Sequence, residues 1–156
     1  MSDEDIKIHR GLNNVYFDRT KTTYINGKEG VLEYRGYNIH DLSEKSSFEE
    51  VSYLLLYGKL PTKNELDSFN RSLKESREIP SKVIDIIRSI KESHPMDVLR
   101  TAVSALSAFD EEASDKSYDA TMRKGIRLTS QVPTIVMAHN AITVSYTHLR
   151  AHETTP

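Results

Sequence analysis

Two histidines, His148 and His152, stand four residues apart, the spacing that sets two imidazoles on one helical face where they could hold zinc. Such a site needs a third ligand and, for hydrolysis, a glutamate between the histidines, whereas Leu149, Arg150 and Ala151 fill the gap. The pair is therefore read as no metal site. His94 precedes Pro95 and could be a catalytic imidazole or the polar cap of a helix that starts at the proline; the cap is the simpler reading. His9, His40 and His139 are solitary, without a serine or carboxylate arrangement that would define a nucleophile, and are read as structural. Arg35, in the turn Tyr34-Arg35-Gly36-Tyr37, could reach an anionic ligand or a partner subunit, or could fix a strand-to-helix corner; the corner is preferred. From the residues alone nothing is assigned as catalytic, as a cofactor contact or as a metal ligand.

Composition bounds the rest. The chain has 156 residues, enough for one ordinary domain. Its 21 basic and 23 acidic residues are mixed along the sequence and leave a formal charge of −2, so no strong field points to nucleic acid or an anionic membrane surface. The absence of cysteine removes disulfides, thiolate metal sites and a cysteine nucleophile together, and makes a cytoplasmic location the default expectation. The opening MSDEDIKIHR lacks the blocks of a secretory signal. The longest strongly apolar run, Leu54 to Leu56, falls far short of the roughly 20 residues that cross a bilayer, so a soluble protein is expected.

The elements that must position any site follow from periodicity. Val15, Tyr16, Phe17 and Thr22 to Ile25 favour strand, Asn26-Gly27 predicts a tight turn with positive φ angles, and Val31 to Tyr34 is the return strand of a small β-hairpin. A helix follows with Phe48, Val51, Leu54 and Leu55 as its apolar stripe, Ser47 and Glu50 as a capping box, and Gly58 as its left-handed close. Thr62 and Glu65 predict a second capping box before Leu66, Phe69 and Leu73, in a helix that fades at Arg77. Pro80 opens a third helix, ending near Lys91, with Val83, Ile84, Ile87 and Ile90 inward. Pro95 opens a fourth with Leu99, Ala102, Leu106 and Phe109 in register and small residues that permit close helix contact. After an acidic stretch, Asp110 to Asp115, read as a solvated loop, a fifth helix spans about Tyr118 to Asn140, kinked or interrupted at Pro133. The expected architecture is mainly α: an N-terminal β-hairpin and about five helices.

Five ordered motifs carry a resemblance: GLNNV from Gly11, EGVLEYRGYNIHDL, FEEVSYLLLYGKLP, HPMDVLRTAVSAL from His94, and VPTIVMAHN. In these the chain resembles the citrate synthase family, with 2-methylcitrate synthase as a near relation of the same signature. The resemblance implies the first part of a large helical domain in a homodimer, with the helices near 95–109 and 118–140 in the antiparallel layer that joins the subunits. It implies a condensation of acetyl-CoA with oxaloacetate to citrate and CoA, acetyl-CoA being a substrate and no cofactor being bound. It also implies that the aspartate and two histidines of the family's chemistry lie beyond VPTIVMAHN, so that this segment alone is inactive; a non-catalytic helical module for self-association is the other reading. From Val144 the sequence VSYTHLRAHETTP leaves the family pattern and resembles translated adapter sequence. The expected division is therefore 1–143, family segment, and 144–156, non-native tail.

Overall fold

A computed structural model describes Gly11, Val15 and residues 18–152, with side chains described as far as Val144. Two compact units divide at Ser47 and Phe48. Tyr16 and Phe17, expected in a strand, and His9, expected to be structural, lie outside the described residues.

The first unit is a three-stranded antiparallel sheet in the order β1 (Thr23–Asn26), β2 (Val31–Tyr34), β3 (Tyr37–Asn38), followed by α1 (Ile39–Lys45). The hairpin between β1 and β2 is present, with Thr23 opposite Tyr34 and Asn26 opposite Val31. Its turn differs from expectation: four residues intervene, and the left-handed position falls on Gly30 (φ 67°) rather than Gly27. The Asn26 side chain explains the longer loop. Its Oδ1 accepts from the backbone N–H of Lys28 at 3.2 Å and of Glu29 at 3.3 Å, a turn built on a side chain.

The YRGY segment is also different. Tyr34 pairs with Tyr37, so Arg35 (φ 51°) and Gly36 (φ 86°) form the two-residue turn of a second hairpin, not a strand-to-helix corner. Both central residues of such a turn need positive φ, which glycine adopts freely and arginine at a steric cost. The Arg35 N–H donates to Thr22 O at 2.9 Å. Helix α1, which periodicity missed, starts directly after β3: Asn38 Oδ1 accepts the His40 N–H at 2.9 Å and caps it.

The second unit contains α2 (Phe48–Tyr57), α3 (Lys63–Glu75), α4 (Ser81–Ser89), α5 (Pro95–Leu106), a 3-10 turn at Ser107–Phe109, and α6 (Tyr118–His152). Its boundaries obey the cap chemistry. Gly58 takes φ 81° and its N–H donates to Leu54 O, closing α2. At α3, Thr62 Oγ1 accepts from the Glu65 N–H while Glu65 Oε2 accepts from the Thr62 N–H at 2.8 Å, both halves of a capping box. His94 Nδ1 accepts the Met96 N–H at 3.2 Å, so this histidine is the N-cap of α5.

One apolar cluster joins α4, α5 and α6 through Val83, Ile87, Val98, Ala102, Leu106 and Ile135. A second packs Tyr53 of α2 on Phe69 and Leu73 of α3, with Ile126 of α6 against it. Two expected core residues are instead outside: Phe48, the first residue of α2, is 65% exposed, and Phe109, carried by the 3-10 turn off the α5 stripe, is 43% exposed. Gly125 lets α6 approach α2 closely, since a Cβ there would lie 3.4 Å from Leu56 Cδ2. Pro133 does not interrupt α6, which runs twelve residues beyond the expected end at Asn140 and enters the stretch from Val144. The buried Ser130 and Ile135 hold the helix on either side of the proline. Hydroxyls one turn apart also pair with backbone carbonyls there, Thr129 Oγ1 with Gly125 O and Thr134 Oγ1 with Ser130 O.

Candidate functional site

The described polar groups that converge most closely lie where α5 gives way to α6. The segment Asp110 to Ser117 folds on itself: the Glu112 N–H donates to Asp110 Oδ1 at 2.9 Å, the Ala113 N–H to Asp110 O, and the Asp115 N–H to Glu112 O. Three cations from one face of α6 meet it. Arg127 donates to both carboxylate oxygens of Asp110 at 2.9 and 2.8 Å and to Glu112 Oε2 at 2.9 Å. Arg123 pairs with the other oxygen of Glu112, and Lys124 Nζ donates to the Asp115 carbonyl. The expected solvated loop is thus an ion-paired one, because carboxylates distant in sequence from the arginines are brought under them by the start of α6.

These pairings fix the charge states. Hydrogen bonds from Arg123 and then Arg127 hold the Glu112 carboxyl down to about 2. Burial pushes Asp110 up, but the Arg127 hydrogen bonds and the Glu112 N–H together leave it below the usual carboxylate range. For Arg127 burial works against the charged form, and the two carboxylates outweigh it and leave the guanidinium raised. At neutral pH both acids are ionised and already satisfied, so neither is poised to take a proton from a substrate.

Beside this network is a cavity of about 480 Å³ lined on its apolar side by Val103, Leu106 and Leu128. A second hollow of about 370 Å³ lies over the rings of Tyr53, Tyr57 and Phe69, with Tyr53 and Tyr57 stacked at 4.3 Å. Burial, and then Glu65, pushes the Tyr53 phenol above its ordinary value.

The histidines whose side chains are described, His40, His94 and His139, do not join either place. His94 is spent on its cap, His139 Nε2 pairs with Lys91 O at 3.1 Å across to the end of α4, and His40 sits in the first turn of α1. His148 and His152 fall in the backbone of α6, but their side chains are not described. Among the described residues no group of three His, Asp or Glu side chains is placed to hold a metal ion. No helix among them is long and apolar enough to cross a membrane. The Arg127 cluster escaped the sequence reading; its signal was the pairing of an acidic loop with cations at positions 123, 124 and 127.

Comparison with known proteins adds what the geometry does not hold. A family model described as "Citrate synthase, C-terminal domain" matches residues 11–155. The citrate synthase of Deinococcus radiodurans is 45% identical over 134 residues, covering 85% of this chain and 36% of that protein. The protein named 2-methylcitrate synthase 1 of Corynebacterium glutamicum is 40% identical over 133 residues, covering 85% of this chain and 35% of its own length. A crystal structure of citrate synthase from Pyrobaculum aerophilum superposes with a TM-score of 0.84 at 36% identity, over 88% of this chain and 37% of that one. The chain therefore spans about a third of the length of the relatives it matches.

Proposed function

The chain belongs to the citrate synthase family, and from that premise we propose that its parent protein condenses acetyl-CoA with oxaloacetate to give citrate and CoA. The observation that carries the proposal is the family match over residues 11–155. The order of the five motifs, not the domain name attached to the family model, supports an early position in the parent. Removing a methyl proton from a thioester needs a positioned carboxylate base and donors to the developing enolate. The charge-paired acids and occupied histidines described above do not provide that arrangement, so this segment serves as scaffold and the chemistry is supplied by residues that follow VPTIVMAHN. Acetyl-CoA enters as substrate; no resident cofactor or metal is proposed. Thiol release from acetyl-CoA by the parent protein, dependent on oxaloacetate, tests the reading, and its absence overturns it.

One observation favours a second substrate. The relative named 2-methylcitrate synthase is nearly as similar as the citrate synthases, so propionyl-CoA is the competing acyl donor. The ratio of thiol release from the two thioesters decides between them. We also assign homodimer formation to the helices near 95–109 and 118–140, supported by the small residues of α5 and by the exposed Leu128, Val136 and Met137 of α6. Association through this surface is equally the core of the non-catalytic reading. Light scattering of the chain is expected to give a dimer, and a well-folded monomer contradicts it. A cytoplasmic location is proposed from the cysteine-free composition. We take residues 1–143 as the family segment and 144–156 as a non-native tail because VSYTHLRAHETTP matches none of the motifs, although the family match itself runs on to residue 155; transcript sequence past Ile142 decides between the two boundaries.

A further inference from the structure

The segment that joins α5 to α6 is held in place by charge, not by apolar packing, and it lies at the mouth of a cavity. Phe109, the large apolar residue at its start, is 43% exposed and lines the cavity. Apart from Ser117, which accepts the Ala120 N–H on its Oγ and the Thr121 N–H on its carbonyl at the start of α6, the segment's contacts with α6 are the forked grip of Arg127 on Asp110 and Glu112, the Arg123–Glu112 pair, and the Lys124 bond to a carbonyl. Its own hydrogen bonds, from the N–H groups of Glu112, Ala113 and Asp115, fold it on itself. Behind it, Val103, Leu106 and Leu128 line the apolar wall of the 480 Å³ cavity, while Asp110, Glu112 and Ala113 form the outer wall.

We propose that residues 107–117 are an ionically latched lid over this cavity, with Arg127 as the latch. The lid opens as a unit while α5 and the middle of α6 stay folded, since the apolar cluster of Val98, Ala102 and Ile135 does not depend on it. Ion pairs whose side chains are partly exposed, from 24% for Asp110 to 53% for Arg123, are weakened by salt, so ionic strength drives opening. Asp115 and Asp119 add negative charge near Arg123, and Glu111 lines the same cavity, so removal of Arg127 leaves an excess of acid that Arg123 and Lys124 alone must balance.

Amide hydrogen exchange of the chain, with and without Arg127→Met, tests the lid. Amides from 111 to 117 are expected to exchange about tenfold faster in the variant. In the unmodified chain they are expected to speed up between about 0.1 M and about 1 M salt, and in R127M to lose that response. Arg127→Lys, which keeps the charge but not the fork, is expected to fall between the two. Because the chain has no cysteine, Val103→Cys places a single reporter thiol on the cavity wall. Its labelling is expected to accelerate with R127M and with salt. Exchange and labelling unchanged by R127M overturn the proposal, and so does a rise shared equally by the amides of α5 and of residues 129–142, which would make the loop part of the general fold.

Discussion

Helix α6 is held by different physics along its length. From Tyr118 to about Leu128 one face carries Arg123, Lys124 and Arg127, which bind a loop through charge, while Ala120 and Ile126 on the other side make apolar contacts; further on, Ile135 is 1% exposed against α4 and α5, with Ala138 and Ile142 packed beside it. An apolar contact of that kind is not screened by a salt such as sodium chloride and does not titrate in mild acid, whereas the ionic contact answers to both. Apolar contacts run along α6 from Ala120 to Ile142, and the ionic ones are added only on the face that meets the loop between α5 and α6.

The comparison breaks most easily at its apolar end. Ile135→Ala is expected to cost about 2–5 kcal/mol in denaturant unfolding, by lost transfer energy and a residual cavity, with no dependence on salt. Ala102→Leu probes the same cluster from α5, where there is no room beside a fully buried alanine. Overpacking there is expected to cost about 1–3 kcal/mol. If either penalty changes with salt, the distinction between the two regions fails.

Arg127→Met is expected to have a smaller effect on stability that shrinks as salt rises. Its pH dependence has a definite sign. Glu112 is held down to about 2 and Asp110 is also lowered in the folded chain, so their contribution is complete above the ordinary carboxylate range of roughly 4 and is lost as pH falls through the folded values. The stability gap between the unmodified chain and R127M is therefore expected to be flat from pH 7 to about 5 and to close on going toward 2, while the Ile135→Ala gap stays open over the same range. Thr62→Ala, which removes one half of the α3 capping box, sets the scale for an exposed polar contact at about 1 kcal/mol.

The caps and stripes of the helical unit could be read from the chain because their signals are local: Thr62 with Glu65, Gly58, and His94 before Pro95 each act within one turn. The errors have a common cause in contacts that local pattern does not encode. Phe48 and Phe109 fit an apolar period but sit at a helix start and in a 3-10 turn, where the period no longer points inward. Helix α1 has only seven residues, too few for periodicity, although Asn38 marked its start. Arg35 resembled a ligand-binding or corner residue, yet its place is set by the pairing of Tyr34 with Tyr37. The arginine cluster joins residues 11 to 17 positions apart, and only the packing of α5 and α6 brings them together. Family membership was legible because ordered motifs survive where individual contacts cannot be foreseen.

The measurement that bears most directly on the account is thiol release by the purified 156-residue chain supplied with acetyl-CoA and oxaloacetate. A segment that carries the family's scaffold but not its base and donors is expected to release CoA no faster than buffer. Release above that background, dependent on oxaloacetate, would contradict the account and place catalytic groups within these residues.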